Sequence, residues 1–150
     1  MTPFSVRHAA PEDVENAVAL LRAQLLEHAI DTAEASLRDL VRVVAAEAQY
    51  GFIFLAVANE EAVGIAYAAA HLSAEHGGMS GWLEELYVVP LWRGRGVGSA
   101  LLTHVIARAQ QLRWKALELE VVEGHERTVP LYERHDFRRT ARARFTRALT

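Results

Sequence analysis

The feature that most constrains this chain is a strand-to-helix junction built on three glycines. Residues 82–89 form an apolar, strand-prone run that stops at Pro90. From Val97 the apolar residues Leu101, Val105, Ala109 and Leu112 recur at helical spacing. Between them lies Arg93-Gly94-Arg95-Gly96-Val97-Gly98. Glycine lets a backbone turn sharply and lets a ligand approach it closely. The first amides of a helix have no partner within that helix, and the helix dipole favours an anion beside them. Two arginines add charge and bidentate hydrogen-bonding capacity. A pyrophosphate group is therefore the expected occupant, held by the main chain from Gly94 to Ser99; a plain glycine turn serving helix–sheet packing is the alternative.

Two common pyrophosphate motifs do not fit. A Walker loop needs Gly-Lys-Ser/Thr, and here Gly98-Ser99-Ala100 follows. A Gly-x-Gly-x-x-Gly fingerprint starting at Gly94 or Gly96 would need glycine at Ser99 or Leu101.

The rest of the chain frames this junction. Phe4 to Arg7 reads as a first strand. Pro11, Glu12 and Asp13 open a helix with the stripe Val14, Val18, Leu21 and Leu25. Asp31 with Glu34 resembles a capping box ahead of a second helix, striped by Leu37, Leu40, Val41 and Val44. Residues 52–57 and 63–72 read as strands joined at Asn59-Glu60-Glu61, and His71 to Gly81 as a flexible loop. Ala116 to Val122 is expected as a strand, Glu126 to Arg134 as a short helix, and Phe137 to Arg147 as a last strand with Arg138, Thr140, Arg142 and Arg144 on one face. The order β-α-α-β-β-β-α-β-α-β predicts one α+β domain over residues 1–150, a mixed sheet with helices on its faces.

Composition narrows the function. The 150 residues carry a formal charge of −3, against a general nucleic-acid binder. There is no cysteine, so a thiol nucleophile, a disulfide and cysteine-ligated zinc are excluded. His28, His71 and His76 show no ligand spacing, and no metal is expected. No apolar stretch reaches membrane-spanning length and no secretory signal opens the chain, so the expected location is cytoplasmic.

Residues 84–102, Glu-Glu-Leu-Tyr-Val-Val-Pro-Leu-Trp-Arg-Gly-Arg-Gly-Val-Gly-Ser-Ala-Leu-Leu, resemble the core motif of the GNAT superfamily of N-acetyltransferases, Arg/Gln-x-x-Gly-x-Gly/Ala, through Arg93, Gly96 and Gly98. Downstream, Leu131-Tyr132-Glu133-Arg134-His135-Asp136-Phe137 is similar to that family's Leu-Tyr-x-x-x-Gly-Phe. The resemblance implies a GNAT-like fold with about four helices and a sheet splayed between its fourth and fifth strands. It implies acetyl-CoA as cosubstrate, with pantetheine along Leu86, Tyr87 and Val88. The pyrophosphate would lie on Arg93, Gly94, Arg95, Gly96, Val97, Gly98 and Ser99. It further implies transfer to a primary amine of a small molecule or peptide, with Tyr132 as general acid and Glu84 as general base. Glu84 is assigned because it is expected on one strand face with Leu86 and Val88, with Glu85 on the other; a bulge would exchange them. Glu118 and Glu120 alternate along the fifth strand, either lining a cationic acceptor site or solvated. Two departures stand out: His125 where relatives carry a CoA-contacting asparagine, and Asp136 in place of glycine. A non-catalytic acyl-CoA sensor, another acyl group, and a homodimer remain open alternatives.

Overall fold

The computed structural model describes residues 3–150. Contacts divide them into a larger unit ending at Glu120 and a smaller one, Val121–Thr150.

The larger unit holds a five-stranded sheet in sequential order: β1 (Ser5–His8), β2 (Gly51–Ala58), β3 (Glu61–Ser73), β4 (Gly78–Val88) and β5 (Leu117–Glu118). β1 to β4 pair antiparallel, because short turns join β2, β3 and β4; β4 and β5 pair in parallel across a helical crossover. The sheet is therefore mixed, as the element order predicts. The flexible loop expected over His71–Gly81 is corrected: β3 runs to Ser73 and β4 starts at Gly78, leaving a four-residue turn.

Helices α1 (Val14–Glu27) and α2 (Glu34–Ala46) cover one face. Ala17, Val18, Leu21, Leu37, Val41 and Val44 pack there against Ile53, Leu55, Ile65 and Tyr87. The expected capping box at the start of α2 is not formed. The cap position is Ala33, and the Asp31 carboxylate instead pairs with Arg22 at 3.2 Å. Helix α3 (Val97–Gln111) covers the opposite face through Val97, Leu101, Leu102 and Val105, all fully buried. A β-carbon at Gly64 would sit 3.0 Å from Leu101 and 3.2 Å from Val97, so α3 approaches β3 closely at that point. Among the described residues no helix is long and apolar enough to cross a membrane.

Two strand expectations are corrected. Of Ala116–Val122 only Leu117–Glu118 pairs, because the ladder needs a neighbour and β4 departs after Trp82. Phe137–Arg147 forms no strand. Its other face, Phe137, Arg139, Ala141, Ala143, Phe145 and Arg147, interrupts its apolar residues with two arginines and two small alanines, so it offers little continuous apolar area to bury, and alanine is a weak strand former. In the smaller unit a single 3-10 turn at Glu126–Thr128 leads into α4 (Val129–Arg134). That helix closes with Asp136 left-handed at φ 66°; the Asp136 amide donates to Glu133 O at 3.1 Å and the Phe137 amide to Tyr132 O at 3.1 Å. This is a Schellman closure, and the edge-to-face contact of Phe137 on Tyr132 at 5.9 Å supplies its usual apolar partner.

Candidate active site

The parallel pairing of β4 with β5 covers only Gly81–Leu117 and Trp82–Glu118. Beyond Trp82 the two strands part, and the edge of β4 from Leu83 to Val88 is left to other partners. Which groups face that edge follows from one bond. The Val89 amide donates to Val63 O at 2.9 Å, so Val89 faces β3. Main-chain groups alternate sides along a strand. Tyr87 therefore also faces β3, while the N–H and C=O of Leu86 and Val88 point into the gap. An extended chain with carbonyl groups would find there the Leu86 and Val88 amides that strand addition uses, while the two carbonyls already accept from Gln24 Nε2 at 3.2 Å and Arg93 Nε at 2.9 Å.

Immediately after this edge comes the glycine turn. Gly94 and Gly96 take φ of 75° and 83°, which glycine adopts without strain, and a β-carbon at either would meet nothing within 4 Å. Backbone conformation, not helix packing, is what requires glycine at these two positions. The first bond of the α3 ladder runs from the Ala100 amide to Gly96 O at 3.0 Å, so the preceding amides lie ahead of the helix's own bonding. Arg95 stacks on Trp92, its guanidinium carbon 4.8 Å from the ring centre. Arg93 is drawn back to the body of the protein: Nη2 donates to Glu27 at 2.7 Å and Nε to Val88 O at 2.9 Å.

The acidic pair sits at a β-bulge. Tyr67 opposes Glu85, but Ala68 opposes Leu83, so one extra residue of β4 is inserted at Glu84. Leu83 and Leu86 face the alanines at 68 and 66 and therefore share the α3 face. The two glutamates between them must both lie on the other face, with Tyr67, Tyr87 and helix α1. This corrects the expectation that Glu84 shares a face with Leu86 and Val88; Glu85 points away from that face, as expected, and the bulge brings Glu84 round to join it. The bulge was invisible in the sequence because it arises from pairing with β3, and nothing local marks it.

Environment distinguishes the two carboxylates. Glu84 is exposed. Glu85 is half-buried, and its pKa is pushed up to about 7, chiefly by desolvation and further by the charges of Glu84 and Glu120, against a hydrogen bond from Gln24 that favours the ionised form. Burial together with the nearby Glu84 also raises the Tyr67 phenol above its ordinary value.

Other sequence candidates fall in different places. His76 Nε2 lies 3.2 Å from Glu118 and 3.8 Å from Glu75, an arrangement that the turn between β3 and β4 creates and that linear spacing did not suggest. A β-carbon at Gly81 would collide with the Trp114 ring, which stacks on Phe52 at 5.2 Å and so serves packing. Tyr132 and His125 belong to the smaller unit, Tyr132 on α4 and His125 just before the 3-10 turn.

Comparison with known proteins places this geometry. The model of the acetyltransferase (GNAT) family matches residues 22–137. An aminoalkylphosphonate N-acetyltransferase from Salmonella typhimurium is 28% identical over 151 residues, covering 99% of this chain and 94% of that protein. Among solved structures, an integron cassette protein from the mobile metagenome of Cole Harbour salt marsh superposes with a TM-score of 0.85 at 26% identity, covering 97% of this chain and 90% of the other. An aminoglycoside N-acetyltransferase, AAC(6')-Iy in complex with CoA, superposes with a TM-score of 0.85 at 18% identity over 100% and 97% of the two chains, a likeness of fold.

Proposed function

The chain belongs to the GNAT family of N-acetyltransferases, whose cosubstrate is acetyl-CoA, and on that premise we propose that it transfers acetyl directly to a primary amine of a small molecule or peptide, with Glu85 as general base and Tyr132 as general acid. The observation that carries the reading is the bulge of β4. It sets a half-buried carboxylate of pKa about 7 next to a strand edge whose Leu86 and Val88 amides face a gap, and that edge ends five positions before Arg93, where the turn begins. Glu85 takes over the role first assigned to Glu84 because only Glu85 combines burial with a pKa suited to accepting a proton near neutrality.

The chemistry follows. An alkylammonium has a pKa of about 10.4 and must lose a proton before it can attack. Ionised Glu85 accepts that proton, directly or through a water. The amine nitrogen bonds to the thioester carbon, and the oxyanion that forms is stabilised by the Val88 amide at the open edge. The attacking nitrogen gives up its second proton to water, the C–S bond breaks to leave the amide, and the CoA thiolate, the anion of a thiol of pKa about 8.5, receives a hydrogen bond or a proton from the Tyr132 phenol. The pyrophosphate lies on the amides of Gly94 to Ser99 beside Arg93 and Arg95, with pantetheine along Leu86 to Val88 and His125 as a further cofactor contact. The family match runs across the boundary between the two units, which supports one N-acetyltransferase domain over the whole chain.

The acidic surroundings favour an acceptor without an anion close to its amine. An aminoalkylphosphonate, the kind of acceptor named for the Salmonella relative, would bring negative charge toward Glu84, Glu85 and Glu120. An amine panel read by thiol release tests this, with calorimetry of acetyl-CoA binding alongside. Diamines should turn over faster than aminoalkylphosphonates. Tyr132→Phe should lower turnover by about tenfold or more while acetyl-CoA binds nearly as before. Binding of acetyl-CoA without turnover of any amine would point instead to a sensor.

A further inference from the structure

Helix α1 carries two polar side chains on the side that meets β4, Gln24 and Glu27, three residues apart and hence neighbours on the helix surface. Glu27 holds Arg93. Gln24 reaches the bulge: its Nε2 donates to Leu86 O at 3.2 Å, across 62 residues of chain, and the same side chain acts on the neighbouring Glu85 carboxylate in the sense of a donor, favouring its ionised form. A primary amide has two N–H donors. One reaches the main chain just past the bulge, which leaves the other for the carboxylate beside it.

We propose that Gln24 is a positioning residue of this acetyltransferase: by bridging the Leu86 carbonyl and the Glu85 carboxylate, its carboxamide fixes the bulge and holds Glu85 oriented and ionised for proton abstraction. The proposal rests on the reading of Glu85 as the base. Two features call for such a strut. A bulge interrupts the ladder, so β3 alone does not fix the backbone at Glu84 and Glu85. Charge also opposes ionisation at this point. Glu84 stands beside Glu85 on β4, Glu120 approaches from the segment after β5, and the Tyr67 phenol lies opposite on β3. From α1, Glu27 is engaged with Arg93, and the donor that reaches Glu85 is neutral Gln24. A donor to the charged form lowers a carboxyl pKa without adding a charge that would compete for a cationic amine. Gln24 is thereby distinguished from a merely packed polar residue: its loss should move a titration as well as a rate.

The test is the pH profile of kcat/KM from about 5.5 to 9.5 with the best acceptor of the panel, for the parent and for Gln24→Met, Gln24→Glu and Glu85→Gln, with folding checked by circular dichroism. The parent should rise through about 7. In Gln24→Met the rise should move to higher pH, so that its deficit at pH 6 exceeds its deficit at pH 9 by about threefold or more, the ratio that half a pKa unit produces. Gln24→Glu keeps the length of the side chain but sets a further carboxylate by Glu85, and should move the rise further; it also serves if Gln24→Met does not fold. A rate lowered equally at every pH in both variants overturns the positioning role. Glu85→Gln separates the two claims. If it keeps the rise through about 7, Glu85 is not the base. If it abolishes the rise while the Gln24 variants leave it in place, only the role of Gln24 fails.

Discussion

Arg93 and Glu27 form a bridge between the glycine turn and helix α1: the guanidinium donates to the carboxylate at 2.7 Å and, through Nε, to Val88 O at 2.9 Å, while lying over the Tyr87 ring at 5.5 Å. Arg93 is thus a joint as well as a positive charge. It ties the last residue of β4, whose amide faces the gap, to the helix that carries Gln24. Glu27→Gln should weaken acetyl-CoA binding about two- to fivefold, and Arg93→Gln by about tenfold, because the second also releases Val88 O. The double variant should show a coupling of about 0.5–1 kcal/mol by calorimetry, as expected for a partly exposed pair. Strict additivity would mean that the bridge does not organise the turn.

Gly96 separates backbone conformation from packing. Its φ is 83° and a β-carbon there meets open space. Gly96→Ala should therefore cost about 1–2 kcal/mol through the left-handed backbone alone, a fall in Tm of a few degrees for a chain of this size. Acetyl-CoA affinity should drop more than tenfold, since the amides ahead of α3 lose their orientation. Gly96→Asn should recover most of the stability, because asparagine tolerates this conformation better. If Gly96→Ala binds acetyl-CoA as tightly as the parent, the turn is not the phosphate cradle.

The limits of reading this chain from sequence lie in pairing. The turn from Arg93 to Gly98 and the stripes of α1 and α3 were legible because each depends on neighbours within a few residues. The face of Glu84 was not, because strand alternation assumes an uninterrupted ladder and the insertion at Glu84 appears only against Tyr67 and Ala68. Gln24 carried no signal either: it sits between Leu21 and Leu25 as an ordinary helix residue, and its partners are 61 and 62 positions away. The alternation from Arg138 to Phe145 misled in the other direction. It has a strand's period without enough apolar surface to form one, and Phe145 is 92% exposed.

Glu85 also ties function to stability. Its folded pKa of about 7 lies above the ordinary 4.5, so between those values the folded state binds more protons than the unfolded one. By linkage the contribution of Glu85 is fully present below about 4.5 and is lost as pH rises through about 7. At pH 8 the parent therefore holds an ionised carboxylate that its surroundings disfavour. Glu85→Gln removes that charge while keeping the shape, and should be more stable than the parent at pH 8 by about 1–2 kcal/mol after allowance for solvent screening. The difference should shrink to about a quarter of that by pH 5. Thermal melts at the two pH values measure it, and an equal difference at both would show that desolvation of this carboxylate is not what raises its pKa. The same variant should lose turnover, so a gain in stability would accompany the loss of activity.

Asp136 gives the corresponding test in the smaller unit. It holds the left-handed position that ends α4, at φ 66°, where the family signature has glycine. Aspartate is among the few residues that enter this region at modest cost, and the two closing bonds to Glu133 O and Tyr132 O are made regardless of its side chain. Asp136→Gly should therefore be neutral or stabilising by up to about 1 kcal/mol. Asp136→Val, β-branched and forced to the same φ, should cost about 1–2 kcal/mol or open the turn. Opening it would release the Phe137 amide from Tyr132 O and the Phe137 ring from Tyr132, so turnover should fall in the valine variant by a larger factor than acetyl-CoA affinity. Urea titrations paired with steady-state rates check both. A valine variant as stable and as active as the parent would show that the left-handed closure of α4 is not what holds Tyr132.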